Sequence, residues 1–122
     1  MPSRPQLTLR ERRNLRAHVL DELIRIDDTI VALMSGLQDL DAEIAVGVSE
    51  LGDQALSEEL GRQRALVSAL LRDAALDRAE MRATQDRVET QDFGFCELCH
   101  EFIGVDRLLA VPTTTRCVRC VM

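Results

Sequence analysis

The 122-residue chain has four cysteines, and all of them lie near its C-terminal end. They read Cys96-Glu97-Leu98-Cys99, then seventeen residues, then Cys117-Val118-Arg119-Cys120. Each CxxC is a tight turn that points two sulfurs the same way. Two such turns at this separation supply the four thiolates of a tetrahedral structural zinc site. The other readings are two disulfides or free thiols. A thioredoxin-like redox pair would need a CxxC within a βαβ context, which the sequence lacks. The expectation is one structural Zn2+ held by Cys96, Cys99, Cys117 and Cys120. A four-sulfur set is closed, with no position left for water or substrate. No nucleophile–base motif appears elsewhere either, so the chain is not expected to be an enzyme. Binding metal and folding the two turns together are one event, so the metal contributes to fold stability.

The rest of the chain follows a different rule. Thr8-Leu9-Arg10-Glu11 has the form of a capping box that opens a helix. After it, Val19, Leu23, Ile26, Ile30, Leu33, Leu37, Leu40 and Ile44 recur in alternating steps of four and three. This is a heptad seam, with charged residues around the remaining surface. The pattern lapses between Val46 and Gly52, and Asp53 is placed to cap a second helix. That helix repeats at seven-residue spacing through Leu60, Val67, Ala74, Met81 and Val88, with Leu56, Leu70 and Leu71 adding to it. Folded back, Leu40 meets Leu60, Leu33 meets Val67, Ile26 meets Ala74 and Val19 meets Met81. The numbers of each pair add to 100, which puts the turn near residue 50. The predicted fold is mainly α: a long antiparallel two-helix coiled-coil hairpin with arms of roughly 50 Å, followed by a small four-cysteine zinc-finger module. The domain reading is a flexible lead over 1–7, the hairpin over 8–92 with its tip near 46–53, and the finger over 93–122. A hairpin of this kind is monomeric; the alternative is a parallel dimer through the first helix.

Composition narrows the function. The only aromatics are Phe93, Phe95 and Phe102, all beside the cysteines, so residues 1–92 must pack through aliphatic groups. The net charge of −6 opposes nonspecific binding to nucleic acid and to anionic membranes. No apolar run is long enough for a membrane span. The N-terminus has no signal-peptide pattern, and thiolate–zinc chemistry then fits a reducing cytoplasm.

The residues between the cysteine pairs are more specific than the pairs themselves. Cys96, Glu97, Cys99, Ile103, Arg107, Pro112, Cys117 and Cys120 fill every fixed position of the pattern C-[DES]-x-C-x3-I-x3-R-x4-P-x4-C-x2-C. Asp92-Phe93-Gly94-Phe95 leads into it. This segment resembles the zinc finger of the DksA/TraR family. The resemblance implies a coiled-coil hairpin beside the finger and binding to bacterial RNA polymerase. In that family the coiled coil enters the secondary channel, acidic tip residues approach the catalytic centre, and no bases are read. Some members act with ppGpp, which is a further candidate partner on the same ground.

The family's tip motif, Asp-x-x-Asp-x-Ala, is matched here by Asp53, while Leu56 and Glu58 replace its second Asp and its Ala. The region stays acidic, and Glu50, Asp53, Glu58 and Glu59 are the candidate partner-binding tip. The chain also ends two residues after Cys120, where the best-studied members carry another helix. Three readings follow. The first is a polymerase-binding transcription regulator. The second is a zinc-stapled coiled-coil adaptor for another protein partner. The third is a zinc-ribbon nucleic-acid binder, which the acidic charge and scarce aromatics oppose.

Overall fold

The computed structural model describes residues 6–47 and 54–121. Three helices occur among them: α1 (Leu9–Val46), α2 (Gln54–Arg87) and the short α3 (Val105–Ala110). The expected turn, with Glu50 and Asp53, lies outside the described residues. α1 begins with the reciprocal cap its sequence calls for. The Glu11 amide donates to Thr8 Oγ1 (3.0 Å), and the Thr8 amide donates to Glu11 Oε1 (2.9 Å). Two otherwise unpaired helix-start donors are thereby satisfied.

The chain forms two compact units, one holding Arg25–Arg78 and the other the segments up to Ile24 and from Ala79 onward. In the first, the α1 seam from Ile26 to Ile44 is half-buried, as are Val67 and Leu71 of α2, while Leu60 and Ala74 are buried. Two ion pairs cross between the helices: Arg64 Nε to Asp41 Oδ1 (2.5 Å) and Arg78 Nε to Asp27 Oδ1 (2.6 Å). The helices are therefore antiparallel. In each pair the residue numbers add to 105, against 100 for the seam pairs read from sequence. Helical side chains lean toward their own N-terminus, so on antiparallel helices these Arg and Asp side chains lean toward each other. The lean accounts for the offset.

These arginines also explain why the α2 seam looks sparse. The positions alternating with Leu60, Val67, Ala74 and Met81 are Arg64, Leu71, Arg78 and Gln85. An arginine there can lay its aliphatic stem along the seam and keep its guanidinium at the surface. Leu71 is the apolar member of this set. Leu70, one residue before it, is turned about 100° away and is 46% exposed; Leu56 is 39% exposed. Leu70 does not join the seam as the sequence pattern suggested, while Leu56 lines a shallow apolar pocket with Leu60 and with Ala42 and Val46 of α1.

The other unit holds the tightest packing. Leu15, Val19, Val88, Leu108 and Thr84 have no exposed surface, and Leu7, Leu23, Met81 and Phe93 are buried with them. The α1 seam thus begins at Leu15, one step before Val19. Thr84 is the buried polar group, and its hydroxyl donates to the Glu80 carbonyl (2.9 Å) while accepting from Arg87 (3.1 Å). Arg12 donates from one nitrogen to the carbonyls of Val88 and Thr90, which lie at the end of α2. A cation here satisfies carbonyls the helix leaves open and complements its dipole. Arg16 forms a two-pronged pair with Glu89 at 2.5 and 2.8 Å, again with numbers adding to 105. All these ion pairs are exposed, so they mark the register more than they hold it.

Replacing Leu15 with Ala is expected to cost about 2–5 kcal/mol, because a fully buried leucine leaves a cavity. Leu76→Ala, at a 65% exposed position, is expected to stay within about 0.5 kcal/mol. Urea unfolding followed by helix circular dichroism measures both.

Candidate metal centre

The first cysteine turn is closed by backbone. The His100 amide donates to the Cys96 carbonyl (2.9 Å), and the Cys96 amide donates to the Glu101 carbonyl (2.8 Å). His100 takes a left-handed backbone, φ 63°, to complete the turn. The second turn repeats the device, with the amides of Cys120 and Val121 donating to the Cys117 carbonyl at 3.0 and 3.1 Å. The chain enters the first turn through Phe95, which bridges Phe102 with ring centroids 5.8 Å apart. Gly94 sits just before, at φ 97°. A Cβ there would lie 3.2 Å from a Phe102 ring carbon and 3.5 Å from Leu108 Cδ1. Glycine is needed at this position for both backbone and space.

Each non-cysteine position of the signature performs a structural task. Ile103 donates its amide to the Gly94 carbonyl (2.7 Å). Pro112 is buried in the turn that the Thr114 amide closes on the Val111 carbonyl (3.0 Å). Arg107, on α3, reaches the Arg116 carbonyl (3.2 Å), one residue before Cys117. Arg116 pairs with Glu97 (2.8 Å), inside the first turn, and the Glu97 amide donates to the Thr115 carbonyl (2.9 Å). The hydrogen bond from Arg116 holds the Glu97 carboxyl below its ordinary range. The two turns are thus tied together by main chain and side chain, independently of any metal. This brace went unread in the sequence. Its signal was there in the fixed Glu and Arg of the motif, without a stated role for either.

The four sulfurs of Cys96, Cys99, Cys117 and Cys120 all lie within 4.8 Å of one another. The Cys99 and Cys117 sulfurs are 3.7 Å apart. A zinc ion with bonds of about 2.3 Å to four thiolates sets sulfurs about 3.8 Å apart. The donor set fits zinc in number, type and spacing. The cysteines are free thiols and not disulfides. Cys96 and Cys117 are buried, Cys120 is half-buried, and Cys99 is exposed. Backbone amides of Cys99 and Cys117 draw the Cys96 thiol down to about 6. The sulfurs of Cys117, Cys99 and Cys96 push Cys120 up to about 12. One thiolate is welcomed and the last is resisted, which is the electrostatics of four sulfurs awaiting a cation. His100, next to Cys99, is exposed and is not part of the four-sulfur cluster.

Of the four tip acids, Glu58 is exposed on α2. Glu59 accepts from Arg62 (2.7 Å) and Gln63 (3.4 Å), and the Arg62 hydrogen bond holds its carboxyl below the usual range. No helix among the described residues is long and apolar enough to cross a membrane.

Residues 91–120 match the prokaryotic dksA/traR C4-type zinc finger. The segment is therefore a C4-type zinc finger of the dksA/traR kind, and zinc is the cofactor that its four cysteines fit. A stretch of 41 residues is 44% identical to the RNA polymerase-binding transcription factor DksA of Haemophilus influenzae, covering 34% of this chain and 28% of that protein. The factor of the same name from Escherichia coli K12 is also 44% identical over 41 residues, covering 34% of this chain and 27% of its own. The matched stretch is thus well under a third of either relative. The fold is similar over much more of the chain. The transcription factor DksA2 from Pseudomonas aeruginosa superposes with a TM-score of 0.79 at 23% identity, covering 93% of this chain and 81% of that one.

Metal analysis of protein purified under reductant is expected to give one zinc per chain. Because the ligands must be thiolates, acidification protonates them and releases the metal, so finger stability falls as pH falls. Cys117→Ser is expected to lose zinc and the finger's amide protection, with most α-helical signal retained. Gly94→Ala is expected to cost about 1–3 kcal/mol, from a strained backbone and a tight contact. A fall in unfolding temperature with unchanged zinc content checks it.

Proposed function

We propose that this chain is a transcription regulator that binds bacterial RNA polymerase. It would enter through the secondary channel, act through an acidic coiled-coil tip and make no base-specific DNA contact. The observation that carries this reading is the joint presence of a DksA/TraR-type finger and a DksA2-like fold over most of the chain. Relatives at the finger are named as polymerase-binding factors. Charge distribution adds support. Residues 25–78 carry eleven acidic and five basic side chains, and the rest of the chain carries ten of each. The whole negative excess therefore resides in the segment that holds the turn.

In this reading Cys96, Cys99, Cys117 and Cys120 are the zinc ligands. Residues 8–92 form the hairpin, with its tip near 46–53, and 93–122 form the finger. Asp53, Glu50, Glu58 and Glu59 are the acting end, and the site of action is the cytoplasm. Glu59 is already tied to Arg62, so Glu58 is the freer charge of the two on α2. ppGpp is carried as a candidate co-effector by the resemblance alone. A zinc-stapled adaptor for a different protein is the alternative, and it is favoured by Leu56 and Glu58 standing in the tip motif.

The test is a pull-down against RNA polymerase, with and without a competing secondary-channel binder, joined to in-vitro transcription. Wild type is expected to bind and to be displaced. Asp53→Asn keeps size and capping ability, so binding should persist while the effect on transcription drops several-fold. Glu22→Gln, far from the turn in sequence, should change little. Retained polymerase binding with an unchanged transcriptional effect in Asp53→Asn would remove the tip mechanism. No binding at all would leave the adaptor reading.

A further inference from the structure

The pocket at the C-terminal end of α1 is apolar, and an acidic tip has no use for it. Ala42, Val46 and the adjoining Gly47 line it from one side and Leu56 and Leu60 of α2 from the other, with Glu43 completing a volume of about 350 Å3. All six residues lie within the Arg25–Arg78 unit. Leu60 and Gly47 are buried, while Val46 is 49% and Leu56 39% exposed. Half-exposed aliphatic groups around a concave surface gain most from an occupant that removes their remaining water. There is room for one large aliphatic side chain, since a cavity of roughly 150 Å3 already takes a benzene ring.

The charges beside the pocket say what fits it. Asp39, Ala42, Glu43 and Val46 share a face of α1, so two carboxylates stand along its apolar wall. Both are exposed and form no ion pair among the described residues. The sequence from 39 to 59 holds no basic residue. Arg62 and Arg64, the next along, are taken by Glu59 (2.7 Å) and Asp41 (2.5 Å). An acidic occupant would be repelled, and a neutral one would leave the carboxylates unanswered. We propose that this pocket docks a protein segment carrying one large aliphatic side chain flanked by arginine or lysine. Leu56 is its apolar anchor, and Asp39 and Glu43 are its charge partners. That the segment belongs to RNA polymerase rests on the function proposed above; the chemistry of the pocket does not. Leu56 is then a change of contact from charge to apolar burial, and not merely an acid missing from the tip motif. The two readings differ in sign. A tip acting through carboxylates alone gains from Leu56→Asp, which fills the family's second acidic position. A tip that docks through the pocket loses by the same change.

Methyl NMR spectra of the zinc-loaded full chain test the pocket itself. The probe is a synthetic helical peptide with one central leucine flanked by arginines; a second peptide carries glutamates in place of the arginines. The first is expected to shift the Val46, Leu56 and Leu60 methyls saturably, less so with added salt, and the second to leave them unmoved. Leu56→Asp is expected to weaken the first peptide about tenfold or more. An acid in the first turn of α2 suits the helix dipole, so helix content should hold. Leu66→Glu, at a 62% exposed position elsewhere on α2, should bind as wild type does. Core RNA polymerase is the probe for the partner. Leu56→Asp should bind it about tenfold more weakly, and Leu56→Met as well as wild type. Asp39→Asn combined with Glu43→Gln should bind it several-fold more weakly at low salt. Pocket methyls that ignore the arginine peptide, or respond equally to the glutamate one, overturn the proposal. So does polymerase binding untouched by Leu56→Asp. Peptide binding in the pocket without polymerase binding by wild type supports the pocket and removes the polymerase reading.

Discussion

Four thiols within 4.8 Å of one another cannot all ionise unless a cation sits among them. This constraint organises the C-terminal part of the chain. The opposite pulls on Cys96 and Cys120 are its signature: backbone amides favour the first thiolate, and neighbouring sulfurs oppose the last. Zinc removes the opposition and converts it into binding energy, which is folding energy for a module this small. The protein spends few apolar side chains here, with Phe93 and Leu108 as the main buried ones apart from the cysteines themselves. The Arg107–Arg116–Glu97 brace then has a clear purpose. It brings the two cysteine turns to the right separation before the metal closes the site, which lowers the ordering that metal binding must accomplish.

The same economy joins the finger to the helix ends within its compact unit. Phe93 is buried in the unit that also buries Leu15, Val19, Met81 and Val88. Arg87 reaches from the end of α2 to the Thr113 carbonyl at 3.4 Å, and Arg12 reaches from α1 to the carbonyls that follow α2. The metal site therefore does not hang on a free strand. Its entry and return segments are pinned to the helices by hydrogen bonds to main chain, and these depend on backbone position more than on side-chain identity.

Much of this was legible in the sequence because it rests on period and spacing. The cysteine spacing gave the metal set, and the heptad of α1 gave an antiparallel partner whose register the Arg64–Asp41 and Arg78–Asp27 pairs bear out as antiparallel. What escaped was whatever breaks the hydrophobic code. Arg64 and Arg78 occupy seam positions on α2 that a binary pattern reads as surface, because their stems and heads belong to different environments. Leu70 is a leucine that the pattern drew inward and the helical angle turned outward. Leu15 continues the seam by one more four-residue step and lay in a stretch rich in arginine, which masked it. Gly94 read as part of a lead-in motif. Its requirement comes from a contact with Phe102, eight residues on, which no local rule supplies.

The two long helices are consequently not equivalent. α1 has an unbroken aliphatic seam for its partner within the chain and further apolar residues outside it, Leu20, Ile24, Val31 and Met34. α2 has a sparser seam, with arginines between its apolar residues. Hydrophobic burial is non-directional, so a helix with two apolar faces does not by itself choose which one to bury against α2. The choice is made by α2's arginines. Arg64 and Arg78 find acids only if the Ile26–Ile44 side of α1 is the one that faces them, with Asp41 and Asp27 flanking it. Presenting the face that holds Asp27 and Asp41 would instead draw these carboxylates and their arginines into the middle of the seam, where burying an ion pair costs more than it returns. Weak, exposed ion pairs add little to stability. They can still decide between two packings of similar apolar area, because that decision turns on a difference and not on a total.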